Sequence, residues 1–494
     1  MNNFRPSIRR GASLGVIIVM LGGCAVGPNF VRPKPPDTDR YTRESKPETT
    51  AVADGWAQHF SSGAAIPGDW WRLFESAQLN AAVLQAINNN PSLQASEAAL
   101  RQSQDNMRAG YGVFYPQVQA NLAASRQQTS SAQTGGQRAG TIFNLVTASG
   151  TVSYALDVFG GERRTVEGLR AQADYQRYET KAACLILSAN VVNTFIARAA
   201  YAAEIRATEQ LIGLEQEQLR LIEAQFRAGM ASYANVLSIQ SLIAANQASL
   251  APLKQNVSQA GHLLATLEGV APSEFALPDI ELTDLSLPVN LPVSLPSDMV
   301  RQRPDILAAE AQLHATSAKI GVATANMFPS FSLNGTYGAA GPNLNALTAA
   351  SGKFWSIGPS ASIPVFQGTS LWYNRRAAMD AYQQAQANYR QTVLGGFCQV
   401  ADVLTALEHD AEGLQAQVEA KRTAGEALDL LQANYRAGVV GYLDVLVADV
   451  QFHQTTIGYL QAVAQRDQDT VGLFVALGGG WWNGPPLAQK GGTP

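Results

Sequence analysis

The sequence has few of the residues that usually form catalytic or metal centres. Five of its 494 residues are histidine, and none of them stands at the spacing of a His-x-x-x-His zinc motif. Gly352-Lys353 is followed by phenylalanine rather than by serine or threonine, so it is not a phosphate-binding loop. We therefore predict that the chain is not an enzyme and that it holds neither a cofactor nor a metal.

An excess of positive charge is also absent. The formal net charge is −4, and the first 23 residues contain three arginines and no acidic residue. Without that segment, 32 basic and 39 acidic residues remain, which gives a net charge of −7. Such a chain is not expected to have a nucleic-acid partner.

Cysteine occurs three times, as Cys24, Cys184 and Cys398. The last two lie in helical stretches, at distances from the preceding Gly161 and Gly368 that differ by seven residues. Seven helical residues rise about 10 Å, which is too far for a disulfide if the two halves of the chain stand side by side. We expect Cys184 and Cys398 to be two buried, unpaired thiols.

The N-terminus has the features of a secretory signal. Residues 1–23 combine three arginines with an apolar run that is too short to span a membrane as a helix. Leu21-Gly22-Gly23-Cys24 resembles the lipobox of bacterial lipoproteins, in which the cysteine is acylated and becomes the mature N-terminus. The resemblance implies lipidation of Cys24, and the alanine that follows implies sorting to the outer membrane. Stable attachment usually needs a second membrane contact.

The two halves of the chain repeat each other at a nearly constant offset. Residues 91–116 align without a gap with 304–329, and Phe226-Arg227-Ala228-Gly229 matches Tyr435-Arg436-Ala437-Gly438. Self-similarity on this scale predicts a duplicated fold. The predicted organisation is a signal peptide (1–23), an acylated extended tether (24–69), repeat 1 (70–269), a proline-rich linker (270–296), repeat 2 (297–480) and a tail (481–494).

Within each repeat the hydrophobic period changes from helical to alternating and back, which predicts a helix, two strands and two long helices. Phe331, Leu333, Gly335 and Tyr337, for example, alternate with small polar residues. The predicted strands span 115–126, 142–158, 328–338 and 354–366. Strands of about ten residues with one apolar face are typical of a transmembrane β-barrel. A soluble sandwich with one solvated face shows the same alternation and is the alternative.

Four strands are too few to close a barrel, since the smallest known membrane barrels have about eight. Open sheet edges are not tolerated in the hydrocarbon region of a membrane. The membrane interpretation therefore requires several copies of the chain to complete one wall. Two copies would supply about eight strands and three copies about twelve, and composition alone does not decide between them.

Proline is missing from 117–251 and from 365–484, which allows unusually long helices. The predicted helices span 162–228 and 231–268 in repeat 1, and 369–437 and 442–477 in repeat 2. An apolar residue recurs every seven positions from Ile205 to Phe226, a period that favours left-handed coiled-coil packing. Lys421 interrupts the same pattern in repeat 2.

Together these features resemble the outer membrane factor family of tripartite efflux systems, the TolC-like channels, and in particular its lipoprotein branch. The resemblance covers about residues 26–480. It is carried by Val26-Gly27-Pro28, Trp70-Trp71 with Phe74, Leu79 and Asn80, Asn90-Pro91, and the two Arg-Ala-Gly turns. It implies a mainly α-helical protomer with a membrane β-barrel part, which forms a homotrimer with a twelve-stranded β-barrel and a twelve-helix α-barrel.

The resemblance also implies partners. The tip of the helical tube would meet a periplasmic adaptor (membrane fusion) protein and, through it, an inner-membrane pump of the RND type. The adaptor-contact residues would be Arg227 and Gly229 in repeat 1, and Arg436 and Gly438 in repeat 2. Both glycines should end a long helix, since glycine accepts the left-handed conformation that closes helix ends.

Relatives close this tip around a ring of acidic residues on the last helix, and Asp444 falls on that motif. A second acidic residue of the family is replaced here by Val447, so the resemblance implies a thinner carboxylate ring and apolar narrowing at the valine. Asp449 does not replace it, because five helical positions rotate a side chain by about 140°. Tyr435 matches a tyrosine that ties neighbouring coils together. The alternative for Asp444 is an ordinary acidic residue at a helix start.

The function implied is a passive outer membrane channel for drugs or other small toxic compounds. One alternative is a type I secretion channel for unfolded protein, but the lipid anchor and the proline-rich N-terminus favour efflux. A second alternative is a non-channel coiled-coil scaffold lipoprotein, which does not account for the matched strand pairs. The expected location is the outer membrane, with a lipid anchor and a long periplasmic portion.

Overall fold

The structure, a computed structural model, describes residues 25–44, 47–130, 141–276 and 280–483. The predicted signal peptide and the lipidation site Cys24 lie outside the described residues. The chain divides into two compact units. Of the described residues, unit 1 combines those within 1–33, 100–176 and 309–389, and unit 2 combines those within 34–99, 177–308 and 390–494.

Helices account for most of both repeats. In the first half they are α1 (Ala77–Asn89), α2 (Pro91–Gly110), α3 (Gly161–Arg227) and α4 (Tyr233–Leu267). In the second half they are α5 (Pro296–Gln302), α6 (Pro304–Ala325), α7 (Ser370–Arg436) and α8 (Tyr442–Ala476). Helices α3 and α7 have 67 residues each, and α4 and α8 have 35 each. The duplication in the sequence therefore extends to the lengths of the helices.

Polar side chains fix the positions at which α1 and α2 begin. The hydroxyl of Ser76 accepts a hydrogen bond from the amide of Leu79 at 3.3 Å at the start of α1. The side chain of Asn90 accepts bonds from the amides of Ser92 and Leu93, and proline occupies the first position of α2. These contacts satisfy amides that the start of a helix leaves without a partner.

The strands form two sheets. They are β1 (His59–Ser62), β2 (Gln117–Gln128), β3 (Ile142–Leu156), β4 (Asn290–Val293), β5 (Ser330–Gly341) and β6 (Lys353–Ser362). Strands β2, β3, β5 and β6 form an antiparallel sheet in that order in unit 1, so the strand pairs of the two repeats meet between β3 and β5. Strands β1 and β4 form a separate parallel pair in unit 2.

A large hydrophobic core lies in unit 2. Trp70, Phe74, Phe195 and Phe474 are buried in it. The rings of Trp70 and Phe474 stack with centroids 5.3 Å apart, so the segment before α1 packs against α8. Burial of each such side chain contributes roughly 1.5–3 kcal/mol. Within the described residues, α3 alone has a stretch apolar and long enough to cross a membrane, and half of that stretch is buried, as in a core helix.

The segment before α1 is not the extended tether that the sequence analysis expected over its whole length. Its β1 pairs with β4 of the proline-rich linker. Beneath this segment, the buried Arg466 of α8 donates hydrogen bonds to Gln58 at 3.0 Å and Thr50 at 3.3 Å. Two strands of four residues each are too short to produce a recognisable hydrophobic period.

Two further expectations differ from the structure. Cys398 is exposed and Cys184 is half-buried, so the prediction of two buried thiols is wrong, although both cysteines are free. The Cys398 thiol lies beside the carboxylate of Asp402, one turn further along α7, on a side of that helix that unit 2 leaves open. Strand β6 ends at Ser362 rather than at 366, because its partner β5 begins at Ser330, directly opposite Ser362.

Candidate functional site

The four-stranded sheet of unit 1 has one apolar and one polar face. Directly paired residues lie on the same face of a sheet. An apolar row crosses the sheet through Val118, Val152, Gly335 and Ile357, and the adjacent row on the opposite face consists of Gln119, Thr151, Thr336 and Ser356. The apolar side chains are exposed, to 73% for Val118 and 70% for Ile357. An apolar sheet face left open in this way is suited to contact with lipid.

The lengths and the edges of this sheet agree with a membrane wall. Its strands have 12, 15, 12 and 10 residues, and a tilted transmembrane strand needs about 9–11. Strands β2 and β6 are the two edge strands. In a membrane their outward backbone groups need partners from further strands, because hydrocarbon offers none.

The polar face carries hydrogen bonds between side chains of neighbouring strands. The Ser332 and Ser360 hydroxyls lie 2.7 Å apart, and the amide of Asn334 donates to both at 3.0 Å. Asn334 and Ser360 are exposed, and Ser332 is half-buried. This face can therefore line a water-filled space.

The first described residues are fixed to unit 1 beside the end of β3. The amide of Val26 donates to the carbonyl of Phe159 at 3.0 Å. The buried Arg164 side chain donates to the carbonyl of Val26 at 3.3 Å, to that of Gly27 at 3.4 Å and to the side chain of Asn29 at 2.7 Å. We call residues 25–29 the N-terminal clamp.

The clamp depends on a glycine. Gly27 has φ +89°, and a Cβ at this position would lie 2.5 Å from the Cα of Gly321 on α6. No other residue fits without moving backbone. Cys24 directly precedes this clamp in the sequence, so the point of the predicted acylation is tied to the unit that contains the exposed apolar sheet.

Helices α3 and α7 end in the same turn. Gly229 and Gly438 have φ +74° and +75°, as expected for glycines that close a helix. The amides of each glycine and of the next residue bond back to carbonyls of the last helical turn, at 2.8–2.9 Å. Arg227 and Arg436 are the last helical residues, and both side chains are exposed.

Two tyrosines of repeat 2 connect to α3 close to these turns. The hydroxyl of Tyr435 donates to Oε1 of Gln225 at 2.8 Å, and that of Tyr442 donates to Oε1 of Gln218 at 3.0 Å. The two tyrosine rings meet edge to face, with centroids 5.6 Å apart. Tyr435 therefore lies between the two repeats of one chain, at the base of the turn.

Asp444 lies in the first turn of α8 with an exposed side chain. Its Oδ2 accepts a hydrogen bond from the amide of Gly441 at 3.1 Å, so it caps the start of this helix. Val447 stands three residues further on and is 63% exposed. Residues three apart share a face of a helix, so the structure brings Asp444 and Val447 together, whereas Tyr435 faces α3.

A pair of buried carboxyl groups between α3 and α8 was missed by the sequence analysis. Glu215 is fully buried and Asp449 is 1% exposed. Burial, together with the nearby Asp449, raises the pKa of Glu215 to about 7, and burial raises the pKa of Asp449 to about 6. The sequence did contain a sign that Glu215 is buried. This residue lies three positions after Ile212, and in a coiled-coil repeat of seven residues that position is usually apolar and faces a neighbouring helix.

No metal centre stands out in the part of the chain that the structure describes. Among those residues, no group of three or more His, Cys, Asp or Glu side chains could hold a metal ion.

Comparison with known proteins agrees with the duplicated organisation of the chain. The family model "Outer membrane efflux protein" matches residues 82–270 and 295–479, which correspond to the two repeats. OprJ of Pseudomonas aeruginosa is 28% identical over 489 residues, which cover 98% of either chain. The probable outer membrane lipoprotein SilC of Salmonella typhimurium is 25% identical and covers 95% of this chain and 98% of its own. The solved outer-membrane channel OprN is 26% identical, with a TM-score of 0.83 over 93% of this chain and 100% of its own.

A duplicated, mainly helical chain with an amphipathic strand pair in each repeat has the fold of an outer membrane channel protomer, and the predicted fold class is confirmed. The chain belongs to the outer membrane efflux protein family. Its function is that of an outer membrane channel of an efflux system, which decides against the scaffold alternative. The members of this family are channels rather than enzymes.

Proposed function

We propose that three copies of this chain form a passive exit duct across the outer membrane. The observation that carries the proposal is the sheet of unit 1, which has an exposed apolar face, a polar face and two edge strands. Three sheets joined edge to edge give about twelve strands and leave no edge in the membrane. Two copies would give about eight strands, a barrel whose interior side chains fill the lumen.

In this assembly the polar face of the sheet lines the lumen. Ser332, Asn334 and Ser360 present hydroxyl and amide groups without charge. Such a lining solvates many small molecules and selects few of them. The chain itself supplies no reaction and no energy in this proposal, so selection and energy come from an inner-membrane pump.

The partners follow from the helix ends. We assign the Arg-Ala-Gly turns, with Arg227 and Gly229 in repeat 1 and Arg436 and Gly438 in repeat 2, as the contact with a periplasmic adaptor protein. An exposed apolar residue follows each turn: Met230 is 75% exposed and Val439 is 72% exposed. Apolar side chains beside exposed arginines are suited to a partner protein. The adaptor would link the duct to an RND-type pump, which delivers drugs or other small toxic compounds.

The periplasmic gate of the duct would contain Asp444 and Val447, with Tyr435 as the tie that holds the tip closed. Asp444 and Val447 share an exposed face of α8, so three copies would present a ring of three carboxylates beside a ring of three apolar side chains. A carboxylate ring attracts cations and an apolar ring narrows the pore.

Charge removal tests the gate. In Asp444→Asn the side-chain oxygen can still accept the hydrogen bond from the Gly441 amide, but the ring loses its charge. Block of the closed duct by divalent cations should weaken about tenfold or more in single-channel recordings. Asp429→Asn, at an exposed position of α7, is the matched control and should leave the block unchanged. If both variants resemble the native channel, the gate lies elsewhere.

We also propose that Cys24 carries the lipid anchor. The N-terminal clamp ties the following residues to unit 1, so an acyl chain on Cys24 would enter the same membrane that the sheet contacts. The chain with Cys24→Ala should not incorporate labelled palmitate during growth, whereas Cys398→Ala, which removes an exposed thiol from α7, should incorporate it normally. Label in the Cys24→Ala protein would contradict the assignment.

One experiment tests the duct itself. The mature protein is purified in detergent, its mass in solution is measured, and its conductance is recorded in a planar bilayer. A trimer that produces small, discrete current steps supports the duct with a mostly closed tip. A monomer that is folded but never conducts would overturn the proposal, whatever its partners are.

A further inference from the structure

Glu215 and Asp449 lie in an apolar region where helices α3, α4 and α8 meet. The surrounding hydrophobic cluster consists of buried side chains from these helices, namely Ile212, Ile222, Val236, Ile239, Ile243 and Tyr442. The amide of Asn246, one turn after the last isoleucine of α4, donates to Oε1 of Glu215 at 2.7 Å. The two carboxyl groups are therefore part of the packing between helices and are not surface charges.

The hydrogen bonds of the pair are incomplete. Oε2 of Glu215 and Oδ2 of Asp449 are both buried, and neither has a hydrogen-bond partner. Two ionised carboxylates in such a place would repel each other and would be poorly hydrated. A proton bound by either group removes one of the two charges.

Other charges near the pair do not compensate it. Neither carboxyl group forms an ion pair with any lysine, arginine or histidine of the described residues. Tyr442 and Tyr435 face the region from α8 and α7, and burial together with the neighbouring acids raises the pKa of Tyr442, so it carries no charge at neutral pH. Burial lowers the pKa of His453, one turn after Asp449, which disfavours a positive charge on this side chain.

We propose that Glu215 and Asp449 form a proton-binding site in the helical wall, and that the bound proton holds α3 and α8 in the closed arrangement of the tip. The proposal deepens the duct proposed above and rests on it for the meaning of a closed tip. Release of the proton leaves two charges that must be hydrated, which separates α3 from α8. The link to the tip is short, because Tyr442 of the same cluster bonds to Gln218, three residues after Glu215.

The sign of the pH dependence follows from the raised pKa values. A hydrated carboxyl group in a loosened wall has its ordinary pKa near 4, whereas the pKa of Glu215 in the packed wall is about 7. The bound proton therefore stabilises the packed arrangement fully below about pH 4, and this stabilisation is lost as the pH rises to about 7. Each unit of difference in pKa changes the ratio of closed to open tips about tenfold.

Infrared spectroscopy of the native trimer tests the proton itself. The difference spectrum between about pH 5 and about pH 8.5 should contain the carbonyl band of a protonated carboxylic acid that disappears at the higher pH. Asp410, Asp467 and Glu268 also have pKa values raised to about 7, so they contribute to this band. The band should be weaker in Glu215→Gln and unchanged in Glu217→Gln, a control at an exposed position two residues further along α3. A band of native strength in Glu215→Gln, or no band in the native trimer, overturns the proposal.

Conductance then tests the link to the tip. The native duct should open at least about tenfold more often at about pH 8.5 than at about pH 5, and Glu215→Gln should stay closed at both. An infrared band without any pH effect on opening would overturn the link. If no variant or pH produces a conducting trimer at all, the duct proposal fails, and the infrared result still decides the proton site separately.

Discussion

The hydroxyl of Tyr435 is a single atom that joins the end of α7 to α3. Its hydrogen bond to Gln225 is 2.8 Å long and part-buried. The sequence indicated a tie at this residue only through the family resemblance, because no hydrophobic period shows which glutamine a tyrosine will reach. The structure adds the partner and places it in the other repeat.

Removal of this hydroxyl should loosen the tip. Tyr435→Phe keeps the ring but loses a hydrogen bond worth about 0.5–1.5 kcal/mol, so the probability of opening should increase roughly two- to tenfold. Tyr233→Phe, at the exposed start of α4, removes a hydroxyl at the other helix end and should have no effect. Equal opening of the two variants in bilayer recordings would refute a specific tie at Tyr435.

Residues that act through their charge were the hardest to interpret from the sequence. Asp444 was selected by its position in a motif, and the structure shows that its side chain caps a helix and is exposed. Glu215 was not singled out, and Asp449 was considered only as a substitute for the acidic residue that Val447 replaces. Which face of a long helix is buried depends on its neighbours, and a single sequence gives those only through its apolar period.

At the scale of elements, the glycine turns show how closely the two repeats agree. Both long helices end in the left-handed conformation, and a Cβ at Gly229 or at Gly438 would touch nothing within 4 Å. Glycine is therefore needed at both positions for its left-handed backbone conformation, and a side chain would not clash there. This was predictable from the sequence, since the chemistry that closes a helix is local.

Alanine at the turn should cost stability. Gly438→Ala places a side chain on a residue with φ +75°, which costs about 1–2 kcal/mol and should lower the midpoint of thermal unfolding. Gly413→Ala, on the exposed side of α7, should raise it slightly, because alanine is the better helix former. A calorimetric scan of both variants would contradict this account if they moved in the same direction.

The existence and type of the long helices and of the four-stranded sheet were also predictable, since their periods persist over ten residues or more. The short strands β1 and β4 were not. They pair a segment near the N-terminus with one more than 200 residues later, and each is stabilised by its partner and not by its own pattern. The same holds for Arg466, whose burial depends on the segment that covers it.

For the whole molecule, the faces of the sheet allow a direct test of the membrane wall. Ile357→Arg places a charge on the apolar face, which costs about 2–4 kcal/mol at the middle of a bilayer. The amount of heat-resistant oligomer in outer membrane fractions should decrease strongly. Ser356→Arg, on the adjacent residue and the opposite face, should assemble normally and change only the conductance. Normal assembly of Ile357→Arg would exclude this face from lipid.

The number of copies in the assembly did not follow from the sequence by physical reasoning. The alternating strands required further strands at both edges, but the requirement is met by any number of copies that closes the wall. Only the family resemblance indicated three. The decision depends on how strongly the sheet curves, which is set by contacts between copies.

The N-terminal clamp has a consequence for the order of events during biogenesis. Because the first residues are fastened beside the strands through Arg164 and Gly27, a lipid on Cys24 would hold each newly exported chain against a membrane surface while its sheet edges are still open. Chains confined to a surface meet at a much higher local concentration than chains free in the periplasm. The lipid anchor would then act mainly before the pore has formed. It would speed the assembly of chains and keep their exposed strand edges from aggregating.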